Sequence, residues 1–191
     1  MREFDWYIVQ VQHGAEDRMC AAIIRACNEA SFDANGEPSE PFTLQECFCP
    51  RFRTQKKIRG EWIDLERPLM PGYVVAVTND PWRLQRVLNA MLHFARVVTS
   101  TGTYIPLGTE NRQWIEQGTR EGDRVVPMSM AYKEGDRVVV TSGPLVGKEG
   151  DIVRVNRKAS LAFLEFHVGA LRITATVGLG IVSKTQEPTT E

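Results

Sequence analysis

The sequence predicts an α+β protein: an N-terminal ferredoxin-like α/β sandwich with an antiparallel sheet, followed by a small five-stranded SH3-like β-barrel. Strand-like and helical patterns alternate up to about residue 120, whereas only short β-rich runs between glycines follow Tyr132. The intervening segment has no periodicity and contains Gly and Pro. We therefore expect an N-terminal domain at 1–120, a linker at 121–131, a barrel at 132–185 and a disordered tail at 186–191.

The chain is predicted to begin with a strand and a helix. Asp5–Gln12 is rich in β-forming residues. Glu16 and Asp17 then place acids where a helix starts, and apolar residues recur at helical spacing up to Ala30. Asp33–Pro41 contains Gly, Pro and acids and is expected to be a loop.

A hairpin and a central strand are expected next. Leu44–Arg53 and Ile58–Leu65 are strand-like, with Arg59-Gly60 near the tip. After the turn signal Pro71-Gly72, the run Tyr73–Thr78 predicts a short apolar strand.

A second helix should start at Asp80-Pro81, with Asp as N-cap and Pro at the first helical position. Its buried stripe is formed by Leu84, Val87, Leu88 and Met91. Phe94–Thr99 is strand-like, and a short third helix is expected from Thr109 to about Gly118. The order β-α-β-β-β-α-β allows two helices to pack on one face of a mostly antiparallel sheet.

The barrel is predicted from short β-rich runs that glycines separate. These runs are Arg137–Thr141, Asp151–Val155, Leu161–His167, Arg172–Val177 and Gly180–Ser183. Closing such short strands into a barrel leaves few edges open to unwanted pairing.

The composition is that of a globular chain with a nearly balanced charge. Of 191 residues, 42% are hydrophobic, and 23 Lys and Arg oppose 24 Asp and Glu. This balance excludes a polybasic tail but allows local basic patches. The apolar runs are far shorter than the roughly 20 residues of a membrane-spanning helix, and the acidic N-terminus is unlike a signal peptide. We expect a cytoplasmic monomer with no membrane contact.

The residues of catalysis and metal binding are not grouped in motifs. Gly143–Lys148 resembles a phosphate loop but lacks one residue between its glycines and the Ser or Thr after Lys. Cys47 and Cys49 would point to one face of a strand, which could suggest a metal site, but no second pair lies near them in sequence. We therefore predict buried, reduced thiols, no enzyme activity and no cofactor.

Two basic clusters are candidates for nucleic-acid contact. Residues 51–60 carry Arg51, Arg53, Lys56, Lys57 and Arg59 without an acid, on a hairpin whose returning strand has Glu61, Asp64 and Glu66. A projecting arm could contact phosphates, or the acids could mask it and leave a solvated hairpin.

The second cluster lies at an expected turn of the barrel. It is formed by Arg154, Arg157 and Lys158, which Lys148 and Arg172 could join in space. Phe163 and Phe166 differ by an odd number of positions, so at most one is expected to be available for stacking. Nucleic-acid contact and a plain solvated turn remain open alternatives.

The segment Arg67–Val77 combines a proline-fixed turn with two large apolar residues, Met70 and Tyr73. Exposed, such a patch would mark a protein partner. Buried, it would be ordinary core that leads into a central strand, which the residue types alone favour.

Three stretches together make the sequence similar to the NusG family of transcription elongation factors. They are Trp6–Gln10 (WYIVQ), Pro68–Val74 (PLMPGYV) and Glu134–Val155, which is similar to a KOW motif. They occur in family order, and the resemblance covers roughly residues 4 to 184.

The resemblance implies an N-terminal domain that grips the clamp helices of the largest RNA polymerase subunit and bridges the DNA cleft. The implied contact residues are Met70, Pro71, Tyr73 and Val75, with Gln10 at the rim, and Leu84, Gln85 and Arg86 on the opposite side of the cleft. Gln10 replaces an aromatic of some relatives. The basic hairpin would project toward upstream DNA or its non-template strand.

The resemblance also implies an adaptor role for the KOW barrel. In general NusG this barrel contacts Rho or a ribosomal protein, whereas the specialised LoaP branch is implied to use it on an RNA hairpin in the transcript leader. The basic turn and the divergence of His167–Val177 from the usual Phe-Gly-Arg loop favour a LoaP-like processive antiterminator. General NusG, or a KOW-type RNA or ribosome-binding module without polymerase binding, are the alternatives.

Overall fold

The structure is a computed structural model that describes residues 3–30, 44–135 and 137–182. The expected loop Asp33–Pro41, the tail 186–191 and Ser183 lie outside the described residues. The helices are α1 (Glu16–Glu29), α2 (Pro81–Ala90) and α3 (Thr109–Gly118), with short 3-10 turns at Glu149–Asp151 and Arg157–Ala159. The strands are β1 (Asp5–Val11), β2 (Leu44–Phe48), β3 (Arg51–Ile58), β4 (Glu61–Pro68), β5 (Tyr73–Thr78), β6 (Ala95–Val97), β7 (Thr99–Ser100), β8 (Thr103–Tyr104), β9 (Val125–Val126), β10 (Ser129–Glu134), β11 (Arg137–Ser142), β12 (Ile152–Asn156), β13 (Leu161–Val168) and β14 (Leu171–Val182).

The chain divides into two compact units, each assembled from segments that are distant in sequence. Unit 1 comprises Met1–Pro50, Met70–Gln113 and Phe166–Ile173. Unit 2 comprises Arg51–Leu69, Trp114–Glu165 and Thr174–Glu191. The β3–β4 hairpin thus groups with most of the barrel.

Unit 1 contains the predicted ferredoxin-like sandwich. Its antiparallel sheet has the order β2-β5-β1-β6, and α1 and α2 pack on one face. Alternate residues of β1 and β5, such as Val9 and Val74, meet Met19 and Ile23 of α1 and Leu88 of α2 in one apolar core. The alternation follows from the two-residue period of a strand. The side chain of Asp80 accepts a hydrogen bond from the Arg83 N–H at 3.0 Å, as predicted for the N-cap of α2.

All four cysteines are buried free thiols, which confirms the prediction for Cys47 and Cys49. Burial raises the pKa of the Cys27 thiol to about 11. A hydrogen bond with Cys20, followed by burial, raises the pKa of the Cys47 thiol well above its usual value. These groups are therefore neutral core residues at physiological pH. Within the described ranges, no group of three or more His, Cys, Asp or Glu side chains could hold a metal ion.

The hairpin differs from its predicted boundaries at Pro50. The expected strand Leu44–Arg53 is two strands, because β2 pairs with β5 whereas β3 pairs with β4. Proline lacks the N–H that a continuous ladder would need at this position. The tip lies at Arg59-Gly60 as predicted, and both residues have positive φ, 52° and 94°. Two such residues form the type I′ turn that matches the twist of a hairpin.

The segment predicted as an aperiodic linker, 121–131, contains strand residues. Val125 and Val126 pair in parallel with Arg51 and Phe52 of β3, and β10 begins at Ser129. The two adjacent valines are β-branched and suit an extended backbone, a signal too short to be recognised as a strand.

The C-terminal region forms a curled five-stranded sheet in the order β11-β10-β14-β13-β12. Five strands were predicted, but two of the predicted runs form the single strand β14, and β10 supplies the fifth strand. Gly178 lies within β14 and does not end a strand. A glycine is needed at this position because an added Cβ would overlap the carbonyl oxygen of Arg53. Phe166 is buried and Phe163 half-buried, so one of the two aromatics is core, as expected from their spacing.

Among the residues that the structure describes, no helix has both the length and the apolar character needed to cross a membrane.

Candidate functional site

The Pro71-Gly72 turn is held by hydrogen bonds to the start of unit 1. The Tyr73 N–H closes the turn on the carbonyl of Met70 at 3.0 Å, and the Val11 N–H donates to the carbonyl of Gly72 at 2.9 Å. Gly72 has a φ of 84°, which glycine adopts without the steric cost that a Cβ would bring. A proline followed by a left-handed glycine is the pattern of a type II turn. The turn therefore presents Pro71 to solvent on a rigid base.

Glu16 is the buried anchor of this turn. Its side chain is only 4% exposed, and Oε1 accepts hydrogen bonds from the N–H groups of Gly72 at 2.8 Å and Gly14 at 3.1 Å. Nδ1 of His13 lies 3.5 Å from the same oxygen. Burial alone would raise the pKa of Glu16, but these backbone N–H donors and His13 lower it below its usual value. The ionised carboxylate is thus the form that the fold stabilises.

The predicted polymerase-binding residues fall into three groups by exposure. Met70, Val75 and Leu84 are fully buried at 0% exposure, so in this structure their side chains do not contact solvent. Pro71 and Arg86 are exposed, and Gln10, Tyr73 and Gln85 are half-buried.

Gln10 and Tyr73 lie directly opposite each other on β1 and β5. On the other side of β1, Gln10 lies opposite Arg96 of β6, an exposed residue that sequence reasoning did not select. Residues opposite one another share a face of the sheet. The structure therefore aligns Tyr73, Gln10 and Arg96 in one row across three strands, beside Pro71.

Gln85 is held in place by both ends of its amide. Its Oε1 accepts a hydrogen bond from the Val97 N–H at 2.8 Å, and its Nε2 donates to Oδ1 of Asn89 at 2.7 Å. Gln85 therefore satisfies a backbone group at the edge strand β6. Of the three residues predicted on α2, Arg86 offers the freely exposed side chain, because Leu84 is core.

The hairpin charges differ between its base and its tip. Near the base, Nε of Arg53 lies 3.1 Å from Oε1 of Glu66, and the Arg51 guanidinium donates to the carbonyl of Glu66 at 3.3 Å. Asp64 accepts a hydrogen bond from Gln55 at 2.8 Å. Lys56, Lys57 and Arg59, here called the tip cluster, are exposed beyond these pairs. Glu66 thus balances charge at the base, whereas Glu61 lies at the tip, opposite Ile58.

Three of the five cations predicted for the barrel cluster follow one another closely along the chain. The turn cluster is defined here as three exposed cations: Arg154 in the middle of β12, and Arg157 and Lys158 in the adjoining 3-10 turn. Asn156 fixes that turn by accepting a hydrogen bond from the Ala159 N–H at 3.2 Å. The Arg154 guanidinium lies 4.1 Å from the ring centre of Phe163, a cation–π contact.

The other two cations predicted for the barrel cluster are Lys148 and Arg172. Nζ of Lys148 lies 3.4 Å from Oδ2 of Asp151, so its charge has a partner. Arg172 belongs to unit 1, whereas the turn cluster belongs to unit 2.

The comparisons with known proteins identify the family. Residues 4–116 match the family described as transcription termination factor nusG, and residues 134–165 match the KOW motif. The first match covers more than half of the chain, and the chain therefore belongs to the NusG family. Members of this family are transcription factors that interact with RNA polymerase. The closer similarity to specialised paralogues such as LoaP stays a prediction.

A solved structure entitled "Domain interaction in Thermotoga maritima NusG" is similar to this chain at 14% sequence identity, with a TM-score of 0.48. The similarity covers 92% of this chain and 94% of that chain. No curated protein matches the sequence.

Proposed function

We propose that this protein is an elongation factor that binds RNA polymerase through unit 1 and promotes processive antitermination, while the barrel recruits or reads RNA. Membership of the NusG family supports a role in transcription. The observation that carries the polymerase contact is the exposed Pro71 turn, which Glu16 holds beside the row of Tyr73, Gln10 and Arg96.

This surface suits a helical protein partner such as the clamp helices. Pro71 and the ring of Tyr73 supply apolar area, while Gln10 and Arg96 supply polar groups at the edge, as in the centre and rim of a protein interface. The turn is fixed by hydrogen bonds before binding, which lowers the ordering cost of association. Met70 and Val75 are fully buried and are assigned a packing role next to this surface.

Antitermination of this kind needs no catalytic group. A factor that bridges the cleft stabilises the closed clamp only by its higher affinity for that state. Pausing and termination require a rearranged polymerase. A factor that binds the closed clamp about 1.4 kcal/mol more tightly than the rearranged state therefore changes the occupancy of the paused state tenfold.

The barrel is proposed to contact RNA through the turn cluster. Arg157 and Lys158 are exposed on a turn that Asn156 fixes, and Arg154 covers Phe163. This arrangement offers cations for phosphates together with a half-buried aromatic ring. A leader hairpin in the transcript is the proposed RNA. The hairpin tip is proposed to face nucleic acid, including non-template DNA.

A substitution of Tyr73 tests the polymerase contact. We expect Tyr73→Ala to weaken binding to purified bacterial RNA polymerase at least about tenfold, since aromatic anchors dominate interfaces. The matched control is Leu92→Ala, which removes a fully exposed apolar side chain (101%) elsewhere in unit 1. Binding is measured by biolayer interferometry, and circular dichroism checks that both variants are folded. Equal affinity of the two variants would contradict the proposed surface.

Single-round transcription through an intrinsic terminator tests the activity. Templates with and without a candidate leader are transcribed with and without the protein. Leader-dependent read-through is the expected result. Altered pausing without read-through, together with direct binding to Rho or a ribosomal protein, would instead identify a general NusG activity. Binding to RNA without affinity for polymerase would identify a KOW-type binding module.

A further inference from the structure

We propose that Met130 is an oxidation site, at which a hydroperoxide converts the thioether to a sulfoxide and thereby loosens the packing of β10 on β14. The site goes beyond the surfaces proposed above for polymerase and RNA and does not depend on them. It is formed within unit 2 by an exposed methionine, a second methionine beside it and two glycines against which both side chains pack.

Met130 is the methionine most open to solvent in the described ranges of the chain. It is 37% exposed, whereas Met19 and Met70 are 1% and 0% exposed. Met91 and Met128 are half-buried. Oxidation depends on the access of the reagent to the sulfur. Met130 is therefore expected to react first.

The cysteines do not compete with Met130 for a peroxide. All four are buried free thiols, and a thiol reacts in its ionised form. Burial raises the pKa of the Cys27 thiol to about 11, and the hydrogen bond with Cys20 together with burial raises the pKa of the Cys47 thiol well above its usual value. A thioether has no proton to lose before it reacts. Met130 is therefore the reactive sulfur of the described chain.

The Met130 side chain packs against glycine in the parallel pair of β10 and β14. Met130 is the register partner of Gly180, and a Cβ added to Gly180 would lie 2.7 Å from the Met130 sulfur and 3.0 Å from the terminal methyl group of Met128. Met128 also reaches Gly178, whose added Cβ would lie 3.1 Å from the Met128 Cγ. Gly178 and Gly180 share one face of β14. The two methionines thus cover the space that these glycines leave open.

An added oxygen on the Met130 sulfur would disturb this packing. With hydrogen peroxide, an S–O bond forms as the O–O bond breaks, the sulfur loses two electrons, and the second peroxide oxygen leaves as water. The product is polar where the thioether was apolar. Because a sulfoxide oxygen needs hydrogen bonds, the side chain must turn toward water and leave Gly180 uncovered.

Peptide mapping by mass spectrometry tests the site in the full chain. The chain is treated with dilute hydrogen peroxide, and oxygen uptake is followed separately at each methionine. We expect Met130 to be oxidised at least about tenfold faster than Met19 and Met70, because both of these are buried. Oxidation of Met130 no faster than that of Met19 or Met70, or earlier oxidation of Met91 or Met128, would overturn the proposal.

Thermal unfolding and hydrogen exchange test the loss of packing. Chains oxidised at Met130 are expected to melt about 3 °C below the untreated chain, a typical shift for the loss of a modest contact in a protein of this size. Hydrogen exchange should accelerate in β10 and β14 and stay unchanged in the β1–β5 sheet. Equal melting temperatures, or unchanged exchange in β10 and β14, would overturn the proposed effect on packing.

Met130→Leu is the matched control, because leucine is close to methionine in volume but carries no sulfur. The same peroxide treatment should leave the melting temperature of this variant unchanged. A peroxide-induced shift that persists in Met130→Leu would overturn the assignment.

Enzymatic reduction of the oxidised, otherwise unaltered chain is a second test, and it does not depend on the folding of the variant. Methionine sulfoxide reductases for both sulfoxide epimers, supplied with a dithiol reductant, should restore the original melting temperature. A shift that these enzymes do not reverse would show that the sulfoxide is not its cause and would overturn the proposal.

Discussion

Glu16 illustrates how one residue can serve two elements. Its position at the start of α1 is that of an ordinary first-turn acid. Its carboxylate also receives the N–H of Gly72, which lies 56 residues further along the chain. The orientation of the Pro71 turn therefore depends on a side chain that belongs to a helix.

Replacement of Glu16 should alter stability in a pH-dependent way. The folded state lowers the pKa of Glu16 below 4.5, so its contribution is present above about pH 4.5 and is lost as the pH falls through the folded value. Glu16→Gln should cost about 1–3 kcal/mol at pH 7, the usual worth of hydrogen bonds to a charged group. The difference from the unaltered chain should shrink toward pH 3.

Urea denaturation at pH 7 and at pH 3 measures this effect. Glu29→Gln is the control, because Glu29 is an exposed acid at the other end of α1. A stability difference between Glu16→Gln and the unaltered chain that does not change with pH would contradict the role assigned to the carboxylate.

Individual side chains were the least predictable part of the candidate site. The resemblance to NusG selected Met70, Val75 and Leu84 as contact residues, but all three are buried in this structure. Residue type alone had favoured core for the segment containing Met70. The row of Gln10, Tyr73 and Arg96 depends on strand register, which a single sequence does not reveal.

At the scale of elements, the hairpin turn shows a conflict between stability and charge. Arg59 occupies a left-handed conformation with a φ of 52°, which is strained for a residue with a Cβ and easier for Asn or Gly. Arg59 also supplies one of the charges of the tip cluster. The turn therefore keeps a conformationally unfavourable residue at a position where it adds positive charge.

Arg59→Asn should change stability and binding in opposite directions. We expect the free energy of unfolding to rise by up to about 1 kcal/mol, because Asn-Gly suits a type I′ turn. Affinity for a fluorescein-labelled single strand of about 12 nucleotides should fall, because the tip cluster loses one charge. Lys56→Asn is the control, as it removes the same charge from a strand position without relieving a strained backbone. Chemical denaturation and anisotropy measure the two effects, and an Arg59→Asn variant no more stable than Lys56→Asn would contradict the argument.

The elements with strong local signals were predicted correctly. Asp80-Pro81 marked the start of α2, and Arg59-Gly60 marked the hairpin tip. The errors occurred where contacts between distant parts of the chain determine strand boundaries and strand pairing. The runs Arg172–Val177 and Gly180–Ser183 were predicted as separate strands, but β14 continues through Gly178, which leaves space for the Arg53 carbonyl. The pairing of β9 with β3 likewise depends on a partner about 74 residues away in the chain.

At the scale of the whole molecule, the sequence order of the segments does not match the compact units. The hairpin 51–69 groups with 114–165 and 174–191, whereas the domains at 1–120 and 132–185 stay a prediction. Thr176 donates its N–H to the carbonyl of Leu69 at 2.8 Å at the end of the hairpin. Sequence patterns, which compare residues near one another in the chain, do not predict such contacts between distant residues.

Gly178→Ala should test this grouping in the full chain. The added methyl group overlaps the Arg53 carbonyl, so the hairpin base and β14 cannot both keep their positions. We expect a loss of about 1–3 kcal/mol, typical of overpacking, with faster hydrogen exchange in β3 and β14 and little change in the β1–β5 sheet. Gly150→Ala is the control, since nothing lies within 4 Å of its added Cβ. Exchange that accelerates equally in both units would contradict the division.

The four buried cysteines have a practical consequence for spectroscopy. Because every native thiol lies in the protein interior, a single cysteine introduced on the surface would be the one residue that reacts quickly with a maleimide dye. Fluorophores could therefore be attached to the folded chain without first replacing the native cysteines. With two cysteines introduced on the surface, energy transfer between a donor and an acceptor dye would report the distance between the two labelled positions in solution.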